Sequence, residues 1–248
     1  MSKFIDRLSE VVETHRSMLP ELRNNTSDLD SDVDGSASFM LANTVRFLAV
    51  AEYVLNKDIE SLRSGLKESA NIQLNLFERF EVNEPIDPPY VSMLSYKELF
   101  DALASGEREL SRKLAIHMGG RLEIEKEFDH PFDRSFGYVL KAFTLDSKDK
   151  EEYLSKFFSE CEKKGNSNFL GYSMILEGIL ENNEEKGRAG LKELFIGHRN
   201  LSKGRSIFKN SEDELLCIWG LGMVNLASYY DLSIFVSDPL IPEDLISF

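Results

Sequence analysis

Cysteine, tryptophan and positive charge are scarce here: 248 residues carry two cysteines, one tryptophan, and 29 lysines and arginines against 43 aspartates and glutamates. Cys161 and Cys217 lie inside apolar helical patterns, with no CxxC pair and no histidine nearby. They read as buried thiols of a reducing compartment in a chain long enough to need no disulfide staple. The histidines His15, His117, His130 and His198 are more than a dozen residues apart, so no metal site of H-x-x-x-H spacing exists. No stretch approaches the length of continuous apolar sequence that crosses a bilayer. The start, Met1 to Arg7, also lacks the apolar core of a signal peptide, so the expected location is the cytoplasm, away from membranes.

The shortage of cations excludes a further class. A net charge of −14 and a pI near 4.8 oppose nucleic-acid binding, which needs clustered lysine and arginine to neutralise phosphate. The same balance favours a basic partner, or simply solubility. Catalytic motifs are missing too: there is no G-x-S-x-G, GxGxxG or P-loop, and Gly119-Gly120 is too short to cradle a phosphate. The sequence therefore predicts no enzyme and no cofactor.

Apolar residues recur at spacings of three and four almost throughout, as in Phe4, Ile5, Leu8, Val11, Val12 and in Leu62, Leu66, Ile72, Leu76, Phe77, Phe80. That period belongs to amphipathic helices, and the predicted fold is all-α. Strict alternation occurs only at Leu122-Glu123-Ile124-Glu125 and Leu232 to Val236, so any strand is expected to be short and peripheral. Pro20 is expected to end a first helix, with a polar stretch from Asn24 to Ser36 after it. The segment Asn83-Glu84-Pro85-Ile86-Asp87-Pro88-Pro89 cannot continue a helix and divides an N-terminal helical section, 1–84, from a larger one, 90–248, which share one core or hold two. Polar turns at Asn56-Lys57-Asp58, Ser105-Gly106-Glu107, Asp146 to Asp149 and Asn182-Asn183-Glu184 each place a capping residue before an acidic first turn. Their spacing predicts stacked antiparallel helical hairpins.

Charge is unevenly spread. Between Lys186 and Lys209 there are seven cations and one acid, Glu193. Two acidic clusters stand apart, Asp28, Asp30, Asp32, Asp34 and Glu123, Glu125, Glu127, Asp129, and these eight are the candidate partner-binding residues. The bland alternative is a pair of solvated faces. Within the first cluster, Asp30 to Gly35 reproduces the opening of an EF-hand loop, with Leu41 where the bidentate glutamate belongs. A solvated loop whose Ser36 or Ser38 caps the next helix is the expected form. Arg112 and His117 have the R-x4-H spacing of HEPN-type ribonucleases, with Lys113 where those enzymes carry Asn, Asp or His. At Asp129-His130-Pro131 the proline reads as the first residue of a helix.

The segment Leu221 to Leu232, followed by Ser237-Asp238-Pro239-Leu240-Ile241-Pro242-Glu243-Asp244-Leu245, resembles the ending of bacterial immunity proteins of the immunity protein 49 family, and Lys97 to Ala115 is similar to that family's middle region. The resemblance spans residues 37–248. It implies an all-helical antitoxin that binds and blocks a toxin delivered between competing bacteria, including effectors of type VI secretion, and it carries over no catalytic residue. The expected partner is a cognate toxin, met through an acidic surface against a basic cleft. The alternatives are a helical-repeat scaffold binding an unrelated protein and a ribonuclease built on Arg112 and His117.

Overall fold

The computed structural model describes residues 4–28 and 30–246. Among the described residues eleven α-helices follow one another: α1 (Leu8–Ser27), α2 (Ser36–Asn56), α3 (Ile59–Glu81), α4 (Tyr96–Ala104), α5 (Arg108–His117), α6 (Leu122–Phe128), α7 (Pro131–Thr144), α8 (Lys150–Cys161), α9 (Leu170–Leu180), α10 (Glu184–Leu201) and α11 (Ile218–Ser228). The fold is all-α, with no strand among the described residues. The alternating Leu122 to Glu125 lies in α6, and Leu232 to Val236 runs extended without a ladder partner; the nearest approach to a sheet is one isolated bridge, Asp238 to Ile241.

Four residues in left-handed conformation turn the chain back on itself: Lys57 (φ 59°), Gly106 (φ 82°), Asp146 (φ 52°) and Asn182 (φ 51°). Each sits just past a helix, where such a residue lets the next amides reach back to the last free carbonyls. After α7 the amide of Ser147 donates to Ala142 O at 2.8 Å, and after α9 Asn183 donates to Gly178 O at 2.8 Å. Entry to the returning helix is capped by a side chain in two of the four turns. Asp58 accepts from Ser61 N and Asn183 from Lys186 N, each at 3.0 Å. The pairs α2–α3, α4–α5, α7–α8 and α9–α10 are the resulting hairpins.

Glycine sets the tightest pair. A Cβ on Gly197 of α10 would lie 1.9 Å from Asn168 O, in the 3-10 turn that leads into α9, and one on Gly171 of α9 would lie 2.2 Å from Leu194 N of α10. The two backbones therefore touch where side chains would hold them apart. The last helix, α11, is apolar all round, and every residue from Ile218 to Ala227 is buried. It lies on α4, stacking Trp219 on Phe100 with centroids 5.3 Å apart, among Tyr96, Phe136 and Tyr172.

One buried cluster runs from Ala49 to Leu245 and crosses the proline-rich segment without a break, so both sections of the chain contribute to the same core. The tail belongs to it. Ile241 and Leu245 are buried, Leu240 O accepts from Cys217 N at 2.9 Å, and Asp244 accepts from the Tyr53 hydroxyl at 2.7 Å. Helix α2 is long and apolar enough to cross a membrane by length and composition, yet most of it is buried in this fold and it carries Arg46.

Two expectations are corrected here. Pro20 lies inside α1, which continues to Ser27; the carbonyl of Arg16 that loses its helical donor is on the exposed side, where water can take it. A helix therefore does enter the acidic loop. Serine does not cap α2 either: Asp34 Oδ1 accepts from Ser36 N at 2.9 Å and Asp32 Oδ1 from Ser38 N at 3.0 Å, so the aspartates hold the helix start.

Candidate functional site

Both acidic clusters turn carboxylates inward, one in the first and two alternate ones in the second. In the first, Asp28 and Asp30 are exposed and Asp34 is half-buried, but Asp32 is wholly buried at 0%. Its Oδ2 accepts from Arg79 Nη1 at 2.7 Å and from the Ser38 hydroxyl at 2.5 Å, while its carbonyl takes Arg79 Nη2 at 2.6 Å. A calcium ion would compete with a guanidinium for that carboxylate. Hydrogen bonds from Ser36 hold the Asp34 carboxyl below its usual range.

In the second cluster Glu123 and Glu127 are exposed, whereas Glu125 and Asp129 are buried. Glu125 accepts from Arg121 N at 2.9 Å and from the Tyr138 hydroxyl at 3.0 and 3.1 Å. Asp129 Oδ2 accepts from Met93 N at 2.9 Å, and burial pushes its carboxyl up. Three of the eight predicted contact residues, Asp32, Glu125 and Asp129, are therefore internal, and the reading of both clusters as wholly solvated is corrected: Asp28, Asp30, Glu123 and Glu127 are exposed and Asp34 is half-buried.

What replaces those carboxylates on the surface is apolar. Val33 is 52% exposed and, in α6, Leu122 is 56% and Phe128 39% exposed. Helix α6 thus turns Glu125 inward beside Ile124 and leaves Leu122 and Phe128 outward, because the Arg121 amide and Tyr138 supply donors for that acid on the inner side. The end of α3 ties the two clusters together. Arg79 binds Asp32, while Glu81 Oε2 lies 2.9 Å from His117 Nδ1 and Oε1 lies 3.0 Å from Arg121 Nη2. The chain neighbours of these paired groups, Val82 and Ile116, are exposed as well.

The proline-rich segment is a strap between the clusters. Asp87 N donates to Asp34 O at 2.9 Å at one end, and Met93 N donates to Asp129 at the other. Just before the first of these Ile86 is buried against Gly35, and between the two Tyr90 stacks on Phe39 with centroids 4.7 Å apart.

Other candidate groups are dispersed. Arg112 and His117 sit five residues apart on α5, about 140° around a helix. Arg112 lies in a pocket beside Asp146 while His117 pairs with Glu81, so the two do not converge on one point. His130 caps α7, its Nδ1 accepting from Phe132 N at 3.2 Å, with Pro131 in the first helical position. The basic run is largely neutralised within the fold: Lys186 pairs with Glu177 and Glu181, Arg188 with Glu184, Arg199 with Asp238 and Lys209 with Glu214. Cys161 and Cys217 are buried free thiols, and burial raises both, Cys161 to about 12. Among the described residues no group of three or more metal-ligating side chains converges.

The class defined by these observations is an all-α protein of paired helices with an acidic and apolar face around the end of α3. No family model, no curated protein and no solved structure matches the chain.

Proposed function

We propose that this chain is an immunity protein that neutralises a secreted bacterial toxin by binding it directly, through the face around the end of α3. The observation that carries the reading is the exposure of apolar side chains within both acidic segments. Leu122, Phe128 and Val33 are exposed beside the exposed carboxylates Glu123, Glu127, Asp28 and Asp30, while the intervening acids are drawn inside. Apolar anchors ringed by charge are the composition of a protein-binding surface. The carboxylates suit a basic cleft, and a net charge of −14 gives a long-range field that speeds the encounter. The likeness of Leu221 to Leu245 to the ending of immunity proteins supports the same class.

The test pairs the chain with the product of a toxin-like reading frame beside its own gene. Coexpression is expected to restore growth, and the two proteins to copurify. Replacing Leu122 and Phe128 together by Asp should abolish protection while leaving thermal melting unchanged. Toxicity indifferent to coexpression overturns the reading.

A further inference from the structure

Where α5 meets the ends of α7 and α11, the surface folds inward to a pocket of about 80 Å³, lined by Arg108, Arg112, Thr144, Asp146, Tyr229 and Tyr230. It is far smaller than the ~300–1,000 Å³ of a drug-sized ligand site. Its size suits a single small group.

The lining is cationic and short of partners. Arg108 and Arg112 stand one turn apart on the same side of α5, where like charges repel. Among the described residues neither forms an ion pair, although Arg7, Arg16, Arg23, Arg46, Arg79, Arg121, Arg188 and Arg199 all do. Arg108 instead lies over the Tyr229 ring, 5.0 Å from its centroid. The one acid in the lining, Asp146, is engaged by Lys150 and accepts from the Tyr230 hydroxyl at 3.3 Å. Lys150 also lies over the Tyr230 ring at 5.0 Å, so three cations face one carboxylate.

Two hydroxyls await an acceptor. Thr144 is only 5% exposed, yet its Oγ1 has no hydrogen-bond partner. The Tyr229 hydroxyl, beside the Ser111 side chain, is also buried without a well-formed hydrogen bond. A buried hydroxyl left in this state is costly, and a ligand oxygen relieves it once the side chain turns to bring the hydroxyl, enclosed in this structure, to the pocket wall.

We propose that this pocket binds a phosphate-class oxyanion, free or as the end of a phosphomonoester, held by the Arg108 and Arg112 forks with the Thr144 and Tyr229 hydroxyls donating from below. Planar guanidinium groups bind such oxygens in pairs, which a lysine does not reproduce. The site is separate from the face around α3 and stands without the toxin-binding reading.

Calorimetric titration of the full chain with inorganic phosphate and with phenyl phosphate, at matched chloride ionic strength, tests it. Saturable binding of either is expected: preference for inorganic phosphate marks a free ion, and equal or tighter phenyl phosphate marks an ester. Arg112→Gln and Arg108→Gln should each weaken binding at least tenfold, with circular dichroism unchanged. Should a glutamine variant fail to fold, Arg112→Lys, which keeps the charge and loses the fork, and Thr144→Val should weaken binding in the same assay. Absence of saturable binding, or affinity unaltered in these variants, overturns the proposal.

Discussion

Arg46 Nε donates to Asp101 Oδ1 at 2.9 Å, joining α2 to α4 inside the core. The same guanidinium binds Asp213 at 2.7 Å and also Glu212, and Asp101 takes a second hydrogen bond from the Ser69 hydroxyl at 2.9 Å. One cation thus serves three carboxylates contributed by two distant parts of the chain.

Removing that cation leaves buried acids unpaired. Arg46→Met should therefore cost about 3–5 kcal/mol, the usual result of deleting one partner of a buried pair. Adding Asp101→Asn in that background should recover part of the loss. Urea denaturation measures both, and a single variant as stable as the wild type would show that solvent reaches this network.

Acid should act on two buried groups in opposite directions. His198 is lowered to about 4 by burial; its Nε2 lies 2.7 Å from Asp213 O and its Nδ1 has no partner, so protonation would place an uncompensated charge inside. Its folded value is below the unfolded one, so its contribution is present above pH 6.5 and lost as pH falls toward 4. Burial raises Asp101 to about 7, against Arg46, so its contribution is present at low pH and lost as pH rises from about 4 to 7. The first is worth about 3 kcal/mol at most and the second about 4. Stability of the wild type should vary little between pH 4.5 and 6.5 on their account. Asp101→Asn should make it fall on acidification, and His198→Gln should make it rise. Parallel slopes in the two variants would refute this.

The α9–α10 contact should tolerate no methyl group. Gly197→Ala and Gly171→Ala place a Cβ against backbone atoms at 1.9 and 2.2 Å, where only movement of a whole helix gives relief. Overpacking of this kind costs about 1–3 kcal/mol. A drop in melting temperature is the expected readout, despite alanine's better helix propensity.

The inner and outer acids should separate cleanly on substitution. Changing Asp28, Asp30, Glu123 and Glu127 to Asn and Gln should leave melting almost unchanged, lower the association rate for a basic partner, and flatten its salt dependence between roughly 50 and 300 mM. Asp32→Ala or Asp129→Ala should instead lower the melting temperature, because Arg79 and the Met93 amide lose their acceptors. An association rate indifferent to salt would remove the steering role. Calcium should not shift melting, since Arg79 and Ser38 already occupy Asp32.

Much of the fold is legible in the sequence because helical periodicity is local: the hairpins and their polar turns follow from spacing and from residues such as Asn182 that accept a left-handed backbone. The errors have local causes as well. Four alternating residues at Leu122 to Glu125 fit a strand or a short helix equally, and only the inward donors select the helix. Pro20 is tolerated because its side of α1 is exposed. The direction of each acidic side chain is set by distant partners. Asp32 answers to Arg79, 47 residues away, and Asp129 to Met93, 36 away, separations that no pattern within the clusters encodes. The pocket around Thr144 is hidden for the same reason, its walls coming from three separate helices.

The strap from Asp87 to Met93 has a consequence for avidity. Because one short segment fastens both acidic loops, their spacing is fixed before any partner arrives. On the proposed reading, a toxin docked on one loop would meet the other at a high effective concentration, so two individually weak footholds would act as one long-lived grip. If the toxin grips both loops, cutting the strap away from either one would convert that contact into two monovalent ones and shorten its residence time.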